Sequence, residues 1–347
     1  MISVGIIGGT GYTGKYLIEY CTKHPYIKDF NIYAKTSAGE NLHSVFPQLV
    51  GTVEDQTINS VENISLNHDA YFIALPHGES LNYIPSLEST NKLVIDLGGD
   101  YRLDEESLYE KWYNYTHSSS YLLSKKVYGL ADESIDYTNT NLISNPGCYP
   151  TGSLLALLPL VKNFSENILS ISISAYSGTS GAGKSPKADL MLSEMDGNVK
   201  AYNVNKHRHL PEIAQELAKA GYNRNLSFTT HLLPISKGIY TTCSIHLKNE
   251  LDENSILETY KNDYTNSNYI RLRTTPPDLS WVVNTNYCDI NICLSGKTLI
   301  ITSAIDNLIK GASGQAMQNM NQYFGWENTL GIMDSKLNVI DKKLISA

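Results

Sequence analysis

The sequence Ser3-Val4-Gly5-Ile6-Ile7-Gly8-Gly9-Thr10-Gly11-Tyr12-Thr13-Gly14 lies near the start of the chain and joins an apolar run to a glycine-rich loop. The run predicts a buried strand, and a helical pattern from Tyr16 to Cys21 follows the loop. Glycines three residues apart allow a tight turn, and the N–H groups at the start of the helix can bind a pyrophosphate. This context predicts a dinucleotide site. The residues expected there are Gly8, Thr10, Gly11, Tyr12, Thr13 and Gly14.

Further apolar runs alternate with helical patterns along the first half of the chain. Strands that alternate with helices are typical of parallel βαβ units. This half is therefore expected to form a Rossmann-type, doubly wound parallel sheet in an α/β fold. The predicted strands are Phe30 to Ala34, Ala70 to Leu75, Lys92 to Leu97 and Leu142 to Ser144.

The second half of the chain has longer predicted strands that are richer in serine and threonine, such as Ile168 to Ala175. This texture indicates an α+β domain with an antiparallel or mixed sheet. We expect a cofactor-binding domain over residues 1–147 and a catalytic and oligomerisation domain over residues 148–307. A helical pattern from Gly311 to Phe324 is expected to pack back on the first domain, which residues 308–347 would complete.

Composition and charge exclude several classes of protein. The 347 residues carry a net charge of −8, which does not suit a nucleic-acid binder. Five cysteines without a CxxC pair argue against a disulfide framework and a zinc site, and no metal is expected. The N-terminus does not resemble a signal peptide, and no segment has the ~20 apolar residues of a membrane span. A cytoplasmic protein is predicted.

The end of the second predicted strand indicates which dinucleotide is bound. An acidic residue there would bind the ribose 2′-hydroxyl of NAD. The strand is followed instead by Lys35, Thr36 and Ser37, which suit a 2′-phosphate and favour NADP(H). A solvated loop lysine is the alternative. Pro76 and His77 end another predicted strand, at the edge where such sheets bind ligands, and are expected near the nicotinamide.

Cys148 is the candidate nucleophile, in the run Asn145-Pro146-Gly147-Cys148-Tyr149-Pro150-Thr151-Gly152. It follows a Pro-Gly turn and precedes an apolar helical pattern, which places the thiol at or near a helix N-terminus. The helix dipole and the free N–H groups there favour the thiolate, a strong nucleophile. The alternative is a buried structural cysteine.

Five segments carry a resemblance to a known family: Gly8 to Gly14, Asn145 to Gly152, Ser177 to Lys184, His207 to Ile213 and Asp306 to Ala312. Together they resemble the N-acetyl-γ-glutamyl-phosphate reductases over nearly the whole chain. The resemblance implies a fold like that of glyceraldehyde-3-phosphate dehydrogenase and a place in arginine biosynthesis. It also implies NADPH-dependent reduction of a small-molecule acyl phosphate to an aldehyde, and a homodimer or homotetramer.

The resemblance further implies roles for individual residues. Cys148 would attack the acyl phosphate and carry a thioester, which accepts hydride more readily than a carboxylate. His207 is expected to be the acid/base with Glu212 as its orienting carboxylate, and His209 lies toward substrate or solvent. The reverse order of the histidines stays open, as does a pair of surface histidines before a helix that starts at Pro211. From the charges of the substrate, Arg102 is expected to bind an oxyanion with both arms of its guanidinium. Asn145 and Lys184 are also expected at the substrate, with a cap of the Cys148 turn and a solvated loop lysine as their alternatives. Cofactor contacts are expected from Gly181 and Asn307.

Other activities remain as alternatives. An N-succinyl or carrier-protein-linked aminoadipyl phosphate, the latter in a lysine pathway, would use the same chemistry. Aspartate-semialdehyde dehydrogenase is disfavoured because its histidine lies in a different, late segment. This chain does not show that arrangement, and its segment from Pro234 to Tyr240 contains no histidine. A silent NADP-binding regulator would have lost the nucleophile or the base, and this chain has candidates for both.

Overall fold

A computed structural model describes residues 1–333, which form two sheets with helices packed on them. The first sheet contains β1 (Ile2–Ile7), β2 (Ile27–Ala34), β3 (Asn59–Ser60), β4 (Ala70–Ile73), β5 (Leu93–Asp96), β6 (Val127–Tyr128) and β7 (Leu142–Ser144). The second contains β8 (Ile168–Ser177), β9 (Lys200–Tyr202), β10 (Asn225–Leu232), β11 (Ile239–Leu247), β12 (Ile270–Arg273), β13 (Cys288–Ser295) and β14 (Thr298–Ile305). The helices are α1 (Tyr12–Lys23), α2 (Leu42–Val45), α3 (Ile84–Glu88), α4 (Ser107–Tyr113), α5 (Cys148–Phe164), α6 (Leu192–Met195), α7 (His209–Lys219), α8 (Glu253–Asp263) and α9 (Gly314–Tyr323).

The first sheet is parallel throughout, in the order β3-β2-β1-β4-β5-β7-β6. The strand order reverses between β1 and β4, where doubly wound sheets bind their ligands. Alternate side chains of the central strands are buried in two separate clusters, with Ile6 and Phe72 in one and Ile7 and Ile73 in the other. The predicted Rossmann-type sheet is confirmed.

The glycine loop between β1 and α1 brings backbone so close to backbone that side chains are excluded. Gly8 has a φ of +81°, and a β-carbon there would lie 2.3 Å from the carbonyl oxygen of Ala74. A β-carbon at Gly14 would lie 2.3 Å from the carbonyl oxygen of Gly9. No side chain caps the N-terminus of α1 and its first turn has no acidic residue, so its free N–H groups suit an anion.

The second sheet is mixed, in the order β12-β13-β14-β11-β8-β10-β9. Along β8, Ile171 and Ile173 are buried whereas Ser172 between them is exposed, because one face of the sheet packs on helices. The apolar helix α5 lies on that face, and α7 and α8 pack against α5. The predicted α+β domain is confirmed, although the sequence patterns did not identify β9, β12 and β13.

After β14 the chain returns to the first sheet. A π-helical turn, Ile309–Ser313, leads into α9, which packs on α1 and β5. The part of the expected 308–347 segment beyond residue 333 lies outside the described residues. No helix within residues 1–333 is long and apolar enough to span a membrane.

Candidate active site

Cys148 lies where β7 of the first sheet runs into α5, the central helix of the second domain, and it is the first residue of that helix. The backbone N–H of Gly147 donates a 2.8 Å hydrogen bond to Glu212 Oε1. The π-helical turn also packs on the nucleophile, since a β-carbon at Gly311 would lie 2.8 Å from Cys148 Cβ. The thiol is half-buried.

The surroundings of Cys148 disfavour the thiolate. Burial raises the pKa of the Cys148 thiol to about 11, and the Glu212 carboxylate adds to that effect. The positive charge of Arg102 and the backbone N–H of Tyr149 oppose it. Desolvation thus opposes the helix N-terminus, which by itself was expected to favour the thiolate. Removal of the thiol proton is a step that the site has to assist.

The raised pKa predicts how Cys148 responds to an alkylating reagent. Below the pKa the thiolate fraction grows about tenfold per pH unit, so alkylation by iodoacetamide is expected to accelerate steadily from about pH 7 to about pH 10. The extent of reaction is measured by mass spectrometry of the Cys148 peptide. A Cys293→Ser background removes the exposed cysteine. A rate that levels off below about pH 8 would contradict the effect of burial.

Arg102 is enclosed by protein and does not present a free guanidinium. Its Nε donates to Asn145 O at 3.0 Å and its Nη2 to Leu97 O at 2.8 Å. Its Nη1 lies 3.3 Å from His209 Nε2 and 3.5 Å from Glu212 Oε2. With only 4% of its surface exposed, Arg102 cannot grip a substrate oxyanion with both arms of the guanidinium, as the sequence had suggested. It positions the residues of the site instead.

Glu212 is fully buried and serves the Cys148 turn, not a histidine. Its Oε1 accepts from the Gly147 N–H and from the hydroxyl of Tyr128, each at 2.8 Å. Burial raises the pKa of Glu212, and the Arg102 charge opposes that effect. The structure gives Glu212 no hydrogen bond to His207 or His209, so the geometry does not support its predicted role of orienting His207. Tyr128 was missed because no motif marks it.

Asn145 is committed to the scaffold as well. Its Nδ2 donates to Ala312 O at 3.2 Å, and its Oδ1 accepts from Asn319 Nδ2 at 3.0 Å. Its backbone N–H donates to Asp96 O at 2.8 Å. These bonds tie the Cys148 turn to the π-helical turn, to α9 and to β5. These bonds favour the alternative prediction, that Asn145 holds the Cys148 turn, over a contact with the substrate.

The two histidines occupy different places relative to Cys148. His209 lies beside the Cys148 turn, because a β-carbon at Gly147 would be 2.5 Å from His209 Nε2. His207 Nδ1 accepts the backbone N–H of His209 at 3.1 Å and so caps the first turn of α7. The His207 ring packs edge-on to Tyr149, with ring centroids 5.3 Å apart. His209 is thus the ring next to the nucleophile.

Both histidine rings are neutral near neutral pH. Burial, together with the Arg208 charge, lowers the pKa of His207 to about 4. Burial lowers the pKa of His209 well below its usual range, and His207 and Arg102 add to this. Arg102 can only donate, so His209 Nε2 accepts and the ring proton lies on Nδ1. His209 Nδ1 is buried and lacks a partner among residues 1–333, which leaves it able to donate to a bound molecule.

The residues predicted at the cofactor lie around the glycine loop. Lys35 and Thr36 are exposed directly after β2, at the carboxyl edge of the sheet, and Ser37 beside them is half-buried. Lys184 Nζ lies 3.5 Å from Thr10 O. Lys184 therefore lies beside the glycine loop, and its predicted contact with the substrate stays a prediction.

Gly181 and Asn307 meet on the second domain, as a β-carbon at Gly181 would lie 3.8 Å from Asn307 Nδ2. Asn307 donates to Ser180 Oγ at 3.0 Å and accepts the Gly238 N–H at 2.7 Å. These bonds hold the Asn307 side chain in a fixed position beside Gly181. Its predicted contact with the nicotinamide stays a prediction.

His77 follows Pro76 in the turn after β4. Its Nδ1 accepts the Gly99 N–H at 3.1 Å. Burial, with the charges of Arg208 and Arg102, lowers the pKa of His77 to about 3. His77 in turn lowers the pKa of His209, and Arg102 Nη1 of the first domain lies 3.3 Å from His209 Nε2 of the second. We call the region where these side chains of the two domains meet the cleft.

Comparison with known proteins agrees with this architecture. Residues 3–132 match the model of the NAD-binding domain of semialdehyde dehydrogenases, and residues 148–307 match that of their dimerisation domain. The N-acetyl-γ-glutamyl-phosphate reductase of Halothermothrix orenii is 38% identical over 340 residues, which covers 96% of this chain and 98% of the relative. That of Clostridium novyi is 39% identical over 338 residues, with the same coverage. The chain belongs to the N-acetyl-γ-glutamyl-phosphate reductase family.

Solved structures of more distant proteins share the fold of this reductase family. Aspartate semialdehyde dehydrogenase II from Vibrio cholerae, complexed with ASA, has a TM-score of 0.72 at 15% identity and covers 94% of this chain and 98% of its own. Aspartate semialdehyde dehydrogenase with NADP from Candida albicans has a TM-score of 0.67 at 15% identity, with 94% and 99% covered. These likenesses concern the fold, and the match of residues 3–132 to an NAD-binding domain is what indicates a nicotinamide cofactor.

Proposed function

We propose that the chain reduces N-acetyl-γ-glutamyl phosphate with NADPH, giving N-acetylglutamate semialdehyde and phosphate in arginine biosynthesis. The observation that carries the proposal is the position of Cys148, a half-buried thiol at the N-terminus of α5 and beside His209. The 38% and 39% identical relatives named for this activity support the choice of substrate.

The first step forms a thioester on Cys148. The sulfur attacks the acyl carbon, the bond from that carbon to the phosphate oxygen breaks, and phosphate leaves with the bonding electrons. The thiol proton departs with the phosphate. The N-terminus of α5 and the Arg102 charge stabilise negative charge on the sulfur as it forms. The buried Arg102–Glu212 pair keeps this turn rigid.

The second step reduces the thioester and releases the aldehyde. NADPH supplies the hydride. His209 Nδ1–H donates a hydrogen bond to the carbonyl oxygen while that oxygen carries negative charge. Breaking of the carbon–sulfur bond then returns the bonding electrons to Cys148. In this proposal His209 serves the reaction and His207 holds it in place, the reverse of the order favoured from the sequence.

The residues present fit an NADP(H) molecule. The uncapped N-terminus of α1 and the close-packed glycine loop suit the pyrophosphate. Lys184 beside Thr10 adds positive charge there. Lys35 and Thr36 after β2 are exposed and suit the 2′-phosphate, which supports NADP(H) over NAD(H). Equal affinity for the two cofactors would contradict this assignment.

Paired amide substitutions separate the roles of the two histidines. His207→Asn is expected to keep most of the turnover, because asparagine Oδ1 can replace Nδ1 as acceptor of the His209 N–H. His209→Gln keeps an acceptor for Arg102 but loses the Nδ1 donor, and its kcat is expected to fall about 100-fold or more. The steady-state kcat of each variant is measured, and its free energy of unfolding is measured alongside to show that the variant is folded. Loss of turnover in His207→Asn with retention in His209→Gln would restore His207 as the acid/base.

The reverse reaction tests the proposed function. Purified protein is given N-acetylglutamate semialdehyde, phosphate and NADP⁺, and NADPH absorbance is followed. Turnover is expected to require phosphate. N-succinyl and carrier-protein-linked substrates are assayed in parallel, and faster turnover of either would replace the proposed substrate. Cofactor binding without turnover of any substrate would favour a silent regulator.

We also propose a homodimer or homotetramer in the cytoplasm. The match of residues 148–307 to a dimerisation domain supports assembly through the second domain. The sheet face opposite α5 carries exposed Ser172 and half-buried Thr242 and Ser244, which gives a polar surface for a second copy. Sedimentation measures the assembly directly.

A further inference from the structure

Two arginines lie at the cleft that holds the histidines, and only one of them is engaged by the protein. Arg102 is buried and bonded on all sides of its guanidinium. Arg208 is exposed, and within residues 1–333 its guanidinium has no hydrogen bond or ion pair. Its contact is with Tyr113, whose ring centroid lies 5.9 Å from Arg208 Cζ. Arg208 therefore keeps its donors for a ligand.

Tyr113 presents a second unused donor in the same place. Its hydroxyl is buried and has no hydrogen-bond partner among residues 1–333. A β-carbon at Gly99 would lie 2.8 Å from that hydroxyl and 2.6 Å from His77 Nδ1. Burial raises the pKa of Tyr113, so the phenol stays protonated and can donate. A buried polar group without a partner is unfavourable, so a ligand that accepts a hydrogen bond from it is favoured.

These groups come from both domains and meet across the cleft. Tyr113 ends α4 and His77 follows β4, whereas Arg208 directly precedes His209 on the second domain. The Tyr113 and His77 rings are 5.4 Å apart. The contact of Arg208 with Tyr113 joins the two domains, and the Arg208 charge lowers the pKa of both His77 and His207. A ligand bound here would lie next to His209 and would touch both domains.

We propose that Arg208 and Tyr113 form the subsite that binds an oxyanion of the substrate, in the place that Arg102 was expected to fill. The inference rests on the proposed function. An arginine guanidinium matches a carboxylate or phosphate with two parallel hydrogen bonds, and the phenol adds a third donor. The substrate carries both kinds of oxyanion.

The reverse reaction measures the two oxyanions separately, because phosphate and the semialdehyde carboxylate enter on different molecules. KM values for phosphate, N-acetylglutamate semialdehyde and NADP⁺ are determined for wild type, Arg208→Met, Arg208→Lys and Tyr113→Phe. The matched control is Arg224→Met, which removes an arginine 6.0 Å from a tyrosine ring elsewhere on the second domain. Its partners are Glu166 and Ser165, away from the site.

Arg208→Met is expected to raise one oxyanion KM about tenfold or more, and Tyr113→Phe the same KM by a smaller factor, with the NADP⁺ KM unchanged. Arg208→Lys is expected to recover part of the loss, because it keeps the charge but not the two-armed geometry. A raised phosphate KM assigns the subsite to the phosphate, and a raised semialdehyde KM assigns it to the carboxylate. Unchanged KM values for both, or the same change in Arg224→Met, would overturn the proposal.

Protection of Cys148 from iodoacetamide separates this inference from the proposed function. Inorganic phosphate or N-acetylglutamate is expected to slow alkylation of wild type but not of Arg208→Met, whether or not the protein turns over the semialdehyde. Wild type without turnover but with Arg208-dependent protection would reject the function and keep the subsite. Absence of protection in wild type, or equal protection in the variant, would reject the subsite.

Discussion

Cys148→Ser is expected to lower kcat of the phosphate-dependent reaction by about a thousandfold or more, the largest effect of any single substitution considered. A serine hydroxyl is far less acidic than a thiol and is a weak nucleophile without a strong base. The lowered pKa values of His207 and His209 make these neutral rings weak bases, which activate a serine hydroxyl poorly. The oxygen ester that serine would form is also a poorer hydride acceptor than a thioester.

The control for this substitution is Cys293→Ser, which changes an exposed cysteine on β13 and is expected to leave kcat within about twofold. NADP⁺ binding is measured for both variants by fluorescence titration. Cys148→Ser is expected to bind the cofactor normally, because Cys148 is not part of the glycine loop. A Cys148→Ser variant with more than about a tenth of the wild-type kcat would show that the reaction does not depend on covalent catalysis by Cys148.

Arg102→Met is expected to lower the free energy of unfolding by about 3–5 kcal/mol, because it leaves the Glu212 carboxylate buried without its positive partner. Urea denaturation measures the loss. The loss should be smaller at about pH 5 than at about pH 8. Burial already raises the pKa of Glu212, and without the opposing Arg102 charge the carboxyl takes up a proton more readily as the pH falls.

A double variant tests the physical reason for that loss. Arg102→Met with Glu212→Gln leaves no buried charge and still offers an acceptor to the Gly147 N–H, so it should recover part of the stability. Arg224→Met breaks an exposed pair with Glu166 and is expected to have an effect below about 1 kcal/mol. Equal losses from Arg102→Met and Arg224→Met would show that the buried pair does not stabilise the Cys148 turn.

Local sequence patterns were sufficient to predict the elements around the glycine loop. The run into Gly8 to Gly14 carries its own geometry, since a strand, a positive-φ glycine and an uncapped helix follow one another in sequence. The same holds for the turn before α5, where Cys148 begins the helix. Short edge strands such as β3, β6 and β9 were missed, because two or three residues carry no readable periodicity.

Contacts between residues distant in sequence could not be read from the sequence. Arg102 and Glu212 were each recognised as polar residues near a motif, but their pairing joins positions 110 apart in the chain. Sequence patterns alone therefore predicted that Arg102 contacts the substrate and that Glu212 contacts a histidine. Burial at Cys148 is also a property of the assembled domains, so the helix N-terminus alone suggested a thiolate that the structure disfavours.

Arg208 illustrates the opposite case. Arg208 belongs to the motif from His207 to Ile213, but the acid/base chemistry of histidine points to His207 and His209 as the functional residues of that motif. Only the structure distinguishes an arginine whose three side-chain nitrogens all bond to protein from one whose guanidinium has no hydrogen bond within residues 1–333.

Trapping of the acyl-enzyme tests the central claim most directly. Protein is mixed with N-acetyl-γ-glutamyl phosphate in the absence of NADPH, quenched in acid and digested for mass spectrometry. An N-acetylglutamyl group is expected on the Cys148 peptide of wild type. The group should be absent from Cys148→Ser, and it should be lost from wild type when NADPH is added before the quench. An active protein that carries the acyl group on another residue, or on none, would contradict the central claim.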